Sequence, residues 1–207
     1  MSILNVRVQP DRALVLVDTR GFMAEDPGTG FECSKILPLV HADTIFAARG
    51  QVALMWSLWS RFYLDRDMHF DAIVAGMLGT LKPILLETKR TAPHVLQAGA
   101  HLGGSVLELF VVGRSREAGG RLRAMHWAVD TKGDVLGPVE AEGYVSPLRD
   151  AAAKPTTLPD SIGGWVSLVR EQVADWRRIL PGVPIGGSLI AAELSDLGMQ
   201  IRNIGQI

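Results

Sequence analysis

One cysteine, Cys33, stands in 207 residues, so no disulfide can form within the chain and a reducing compartment is expected. Neither sign of charge is in excess: 21 Lys and Arg face 22 Asp and Glu, a net of −1. Binding DNA or RNA through phosphates needs a basic face, and this balance gives no sign of one, so no nucleic-acid partner is expected. Long apolar runs are missing too. The most apolar segment, 72–86, is interrupted by Lys82 and Pro83 and falls short of a bilayer span, so no membrane partner is expected. The amino terminus has no basic region followed by an apolar stretch and a cleavage site, which argues against secretion. The expectation is a soluble, cytoplasmic protein.

Metal and cofactor signals are also lacking. His41, His69, His94, His101 and His126 show neither HxxxH nor HExxH spacing, so no metal site is expected. Gly28-Thr29-Gly30 is not followed by the Gly-Lys-Ser/Thr of a phosphate loop, and Gly163-Gly164 opens a helix without a strand before it. No cofactor is expected.

What is present is globular. The chain is 47% hydrophobic and 21% charged, and its length suits one domain, 1–207, with a sizeable core. Mean hydropathy is slightly positive, which hints at apolar surface covered by partner subunits.

Residues 3–8 and 13–18 are β-prone runs joined by Gln9-Pro10-Asp11-Arg12, a hairpin at the very start of the chain. The loop 21–32 is rich in Gly, and Lys35–Leu39 and Thr44–Ala48 read as two more strands. Gly50 opens a helical pattern over Gln51–Arg66, with Val52, Met55, Trp56, Trp59 and Phe62 or Tyr63 at three- and four-residue spacing. Trp56 and Trp59 suit core or a subunit contact. A second helix runs from Phe70 towards Lys89, with Asp71 as a possible cap and Pro83 kinking or dividing it.

Strands follow at Ser105–Gly113 and Leu122–Asp130, with a tight turn at 130–134 leading into Val135–Gly137. The Pro-rich stretch Gly143–Pro159 receives no element. An amphipathic helix at about Ile162–Leu180 stops at Pro181-Gly182, and Gly187–Glu193 and Met199–Ile204 are closing strands. Four strands, two helices, several strands, one helix and two strands argue for an α+β fold with a largely antiparallel sheet pair between helices. A doubly wound nucleotide-binding fold would alternate strand and helix singly.

The hairpin puts Ser2 at one outer end and Asp18 at the end of the returning strand, and a third strand could bring Lys35 beside them. A serine hydroxyl needs a base. At a free amino terminus the α-amine, with an ordinary pKa of about 7.7–8.0, can serve. Lys35 would favour the neutral amine and a developing alkoxide, Asp18 would hold Lys35 in place, and the N–H at Gly50 would suit an oxyanion. Each residue also has a plainer reading. Ser2 is a common second residue, Asp18 can bond loop amides, and Arg20 can pair with Asp18 or an adjacent subunit. Lys35 can be an edge-strand charge, Gly50 a turn glycine, and Cys33 either a reactive thiol or a buried structural one.

The segments ALVLVDTR with Asp18 and Arg20, SKILPL with Lys35, TIFAARG ending at Gly50, and GGSLIAAEL near the carboxyl end resemble the N-terminal-nucleophile hydrolases. Within them the likeness is to the proteasome β-subunit group and its bacterial and phage-borne relatives. The resemblance covers most of the chain in element order, and in residues mainly 2–55 and about 186–206. It implies a four-layer αββα sandwich, a homo-oligomer in rings or stacks, and amide or peptide bonds as substrate. It also implies Ser2 as nucleophile after removal of Met1, supported by Asp18, Lys35 and the Gly50 amide. Two features depart from the family pattern: an attached Met1 would block the amine, and Gly182 and Ile185 stand where the family carries a supporting Asp and Ser. These favour the alternative of an inactive, possibly phage-derived, scaffold or assembly protein. A small-molecule binding module has no feature of its own behind it.

Overall fold

Side chains of successive strand residues point to opposite faces, and here both faces of the central strands are buried. In the computed structural model, residues 2–22, 29–98, 105–147, 158–182 and 185–207 are described. β1 (Leu4–Val8) and β2 (Arg12–Asp18) form the expected hairpin, with Leu4 opposite Val17 and Val8 opposite Ala13. A small hairpin of β3 (Arg20–Phe22) and β4 (Gly30–Glu32) follows, then β5 (Ile36–Leu39), a 3-10 turn at Val40–Ala42, and β6 (Thr44–Gly50). The helices α1 (Val52–Tyr63), α2 (Phe70–Thr91) and α3 (Pro93–Ala98) come next. β7 (Ser105–Ser115), β8 (Arg121–Asp130), β9 (Val135–Glu140) and β10 (Gly143–Ser146) precede α4 (Ile162–Ile179), and β11 (Ser188–Ser195) and β12 (Gly198–Gln206) close the chain.

The fold is α+β, with antiparallel sheets. One five-stranded sheet runs β10-β1-β2-β11-β12 and the other β5-β6-β7-β8-β9; β3 and β4 pair separately. Ala13, Val15 and Val17 of β2 meet Ile45, Ala47, Phe110 and Val112 between the two sheets. Leu16 turns the other way and packs with Trp165, Val169 and Val173 of α4. Phe46, Ala48, Leu109 and Val111 face Met55, Leu58, Ile73 and Met77 of α1 and α2. Strands covered on both sides read as unbroken apolar runs such as ALVLV and TIFAA. Each large side chain so buried contributes roughly 1.5–3 kcal/mol.

One polar contact fixes α4 on its sheet. Asn5 is fully buried and donates to the Gln172 Oε1 at 2.9 Å, while Gln172 Nε2 donates to the Pro147 carbonyl at 3.0 Å. Asn5 Oδ1 accepts the Ser146 N–H at 3.1 Å, so this network ties β1, β10 and α4 together with its amides satisfied.

Several expectations are corrected. Gly143–Ser146 is a strand after all, pairing with β1 from Leu4–Ser146 to Arg7–Gly143; of the rest of that Pro-rich stretch, 148–157 lie outside the described residues. α2 continues through Pro83 as one helix of 22 residues. Pro83 and Gly79, whose carbonyl loses its partner, both lie on the exposed face where water can reach, while Leu81, Ile84 and Leu85 stay buried. Asp71 is not the cap of α2. His69 holds that position without a side-chain bond, and Asp71 sits in the first turn. Among the described residues, no helix is long and apolar enough to cross a membrane.

The Asp71 carboxylate instead accepts the Arg116 N–H at 2.7 Å and the Glu117 N–H at 3.3 Å, fastening the β7–β8 turn to α2. Burial pushes its pKa up, but the Ser115 hydroxyl, those two amides and His69 more than offset this and hold it below its ordinary value. Its contribution is therefore complete above the unfolded carboxylate's pKa of about 3.9 and is lost as pH falls through the lower native value. Asp71→Ala should cost about 1–3 kcal/mol in urea melts at neutral pH, because two turn amides lose their acceptor. The variant should also lose less of its remaining stability than the parent when the melts are repeated near about pH 3.

Candidate functional site

β2 ends in a residue that water does not reach. Asp18 is fully buried, and each of its oxygens is engaged. Oδ1 accepts the Ile3 N–H at 2.8 Å and the Lys35 ammonium at 2.7 Å, and Oδ2 accepts the Gly186 N–H at 3.2 Å. Lys35, immediately before β5, is 1% exposed, and a second of its three N–H donors goes to the Arg20 carbonyl at 2.5 Å. Lys35 is therefore not an edge-strand charge facing water: it points inward to a carboxylate partner. Burial pushes the Asp18 pKa up, opposed by Lys35 and by the amides of Ile3 and Gly186.

The backbone explains why these groups meet. Ile3 extends β1 past Leu4, beside the end of β2, so the residue after Ser2 is hydrogen-bonded to Asp18. On the other side Leu189 of β11 lies opposite Asp18, which brings Gly186 to the carboxylate. Gly186 and Gly187 both have positive φ, 114° and 83°. A Cβ on Gly187 would lie 2.8 Å from Thr19 Oγ1 and from Glu32, so only glycine passes between them. Thr19 Oγ1 then accepts the Ser188 N–H at 2.9 Å.

Ser2 is half-buried at the outer end of the hairpin, one residue from the Asp18 contact. Met1 lies outside the described residues. Gly50 is the last residue of β6 and not yet part of the helix, which starts two residues later. Its φ is 88°, and a Cβ there would lie 2.2 Å from the Val106 carbonyl, so glycine is required. It shares the sheet end with Lys35, whose carbonyl accepts the Ala48 N–H at 3.0 Å. Gln51, the residue just before α1, gives no side-chain cap, leaving first-turn amides for other acceptors.

Arg20 enters the cluster through its backbone. Its guanidinium lies 3.7 Å from Glu32 and does not pair with Asp18; its carbonyl is what reaches the cluster, by accepting from Lys35. Cys33 is half-buried with a free thiol, and burial pushes its pKa up, with Lys35 pulling the other way. The thiol is thus disfavoured as a nucleophile at neutral pH.

Sequence reasoning missed three members of the cluster: the Ile3 amide, the Gly186 amide and the Arg20 carbonyl. Backbone groups leave no residue-type signal, although the Gly186-Gly187 pair marked the place. It also missed a second polar group between the sheets. There the Tyr144 hydroxyl donates to Glu108, Arg49 Nε lies 3.3 Å from the same carboxylate, and the His126 ring stacks on Phe110 at 4.6 Å. Burial lowers the His126 pKa, as does Arg49, with Glu108 opposing, which favours the neutral ring. Among the described residues no group of His, Cys, Asp and Glu is arranged to hold a metal ion. The chain matches no protein-family model and no curated protein.

What the cluster can do chemically follows from its charges. Lys35, shielded from water, bonds the same Asp18 oxygen that accepts the Ile3 N–H, and among the described residues no other cation reaches that carboxylate. Removing either partner strands the other. Lys35→Met should cost about 3–5 kcal/mol in urea or thermal melts, whereas replacing both, Asp18→Leu with Lys35→Met, should cost clearly less than the sum of the two single changes.

Proposed function

We propose that the chain is an N-terminal-nucleophile amidohydrolase of the proteasome β-subunit kind, built as a four-layer αββα sandwich and using Ser2 once Met1 is removed. The observation that carries this reading is the buried Lys35–Asp18 pair, bonded through Ile3 to the first residues of the chain. The small side chain of Ser2 suits removal of the initiator methionine and exposure of a free α-amine.

In this reading the Ser2 α-amine takes the proton from Oγ as Oγ attacks the carbonyl carbon of an amide or peptide. Lys35 keeps the amine neutral beforehand and stabilises the negative charge that develops on Oγ. The tetrahedral oxyanion accepts from the Gly50 N–H, held by its positive φ at the end of β6. Collapse expels the amine half of the substrate with the proton from the α-ammonium, leaving an ester on Ser2. Water then hydrolyses the ester by the same proton route, releasing the acid and restoring Ser2. Asp18 positions Lys35 and touches no reacting atom.

The second reading is a catalytically inactive scaffold or assembly protein with the same fold. It is favoured by Gly182 and Ile185, which occupy the places where the family carries a supporting Asp and Ser. The two separate on intact mass. A chain lacking the methionine, labelled once by a β-lactone or epoxyketone probe, supports the hydrolase. Labelling should vanish in Ser2→Ala and fall by about a hundredfold or more in rate in Lys35→Arg, which keeps the charge but not the point geometry. A retained methionine, or labelling unchanged in Ser2→Ala, overturns the hydrolase and leaves the scaffold.

A further inference from the structure

The candidate site draws its parts from two sheets. Ser2 precedes β1 and Asp18 ends β2 in one, whereas Lys35 precedes β5 and Gly50 ends β6 in the other. Along β6 the N–H groups point alternately to its two neighbours. Ala48 donates to the Lys35 carbonyl at 3.0 Å, and Gln51 donates on the opposite side to the Val106 carbonyl at 2.9 Å. The Gly50 N–H, two residues on from Ala48, therefore points to the Lys35 side. The β5–β6 pairing ends with Ile36 opposite Ala47, so no strand residue stands across from that N–H. Its direction is set by the peptide plane between Arg49 and Gly50.

Arg49, on which that plane hangs, is clamped. It lies two residues from Ala47, and Glu108 lies two residues from Phe110, so both side chains point, like those two, between the sheets. The two residues pair across β6 and β7, and Arg49 Nε lies 3.3 Å from Glu108 Oε2, with the side chains only 13% and 15% exposed. Glu108 is held in turn from the other sheet. The Tyr144 hydroxyl donates to the same Oε2, and the Tyr144 ring packs beside Phe110 and His126 at 4.9 and 5.2 Å. Burial first, and then Glu108, push the phenol's pKa up, so at neutral pH the hydroxyl is a donor. Tyr144 stands on β10 opposite Val6 of β1, the strand that follows Ser2.

We propose that Tyr144 is a positioning residue: through Glu108 and Arg49 it holds the Gly50 N–H in its direction and ties it to the sheet that carries Ser2. The link runs hydroxyl, carboxylate, guanidinium, peptide plane. Apolar contact between the sheets is non-directional and cannot fix where a single N–H points, whereas a bond from a hydroxyl to a carboxylate is directional. Lys35 and Asp18 tie the two sheets beside the Ile3 amide, and Tyr144 and Glu108 tie them on the Gly50 side. Tyr144 touches no reacting atom. The inference rests on the reading of the Gly50 N–H as the oxyanion donor, and its test separates the two.

Tyr144→Phe removes the hydroxyl and keeps the ring, and Glu108→Gln keeps an acceptor for Tyr144 but breaks the ion pair with Arg49. In proton–nitrogen NMR spectra of the full chain labelled at glycine, the Gly50 cross-peak should shift in both variants. The rate of Ser2 labelling by a saturating β-lactone probe should fall about tenfold in both, with the half-saturating probe concentration unchanged. Asp71→Ala, which loosens the β7–β8 turn, is the control for lost stability and should move neither readout. A Gly50 cross-peak unmoved in both variants, or moved as far by Asp71→Ala, overturns the proposal, as does a shifted cross-peak with the labelling rate intact. If the parent itself is never labelled, the hydrolase reading falls, and the Gly50 cross-peak alone decides the positioning.

Discussion

A lysine and an aspartate sealed from water are costly to the fold, because two ions give up hydration for one short contact. The Lys35–Asp18 pair is tolerated because the carboxylate also accepts two backbone amides and the ammonium also bonds a carbonyl. Four stretches of chain thereby converge on one carboxylate: the residues before β1, the end of β2, the entry to β5 and the glycines before β11. Apolar side chains of similar size would serve packing as well or better at such a place. What they could not supply is a lysine amine tied through one carboxylate to the backbone of Ile3, and the proposed function rests on that tie.

Other polar groups in the interior act as fasteners. Asn5 and Gln172 join α4 to the sheet it covers, and Asp71 joins the β7–β8 turn to α2. Each pins a helix to a strand or turn on which its apolar face already rests. Arg49, Glu108 and Tyr144 do the same between the two sheets, where β6, β7 and β10 approach. Hydrophobic contact sets the stacking of elements, and these few directional bonds set their register.

The elements that could be read from sequence are those whose local pattern has a single solution. ALVLVD and TIFAARG are strands because a run of β-prone residues bounded by turn residues has no helical face, and α4 is a helix because its apolar residues recur at three and four. Lys35 and Asp18 were legible because a charged residue at the edge of an apolar run needs a reason. Pro83 misled because proline breaks a helix only where its freed carbonyl cannot be solvated, and exposure of a face is a tertiary fact. β10 was hidden by flanking prolines; its pairing with β1 comes from a partner more than a hundred residues away. Asp71 followed the statistics of helix starts in sequence but was claimed in space by a turn that only the β7–β8 hairpin brings near.

The tryptophans of α1 bear on more than that helix's surface. β5 is the outermost strand of its sheet, and in its pairing with β6 the carbonyls of Ser34, Ile36 and Pro38 point away from the partner. Trp56 takes the first, the Ser34 hydroxyl takes the second at 2.6 Å, and Trp59 takes the third, while Pro38 has no N–H to offer. A foreign strand arriving at this border would find its acceptors already spoken for. This edge of the sheet is thereby shielded from pairing with a neighbouring molecule, at the expense of only two indoles and one hydroxyl.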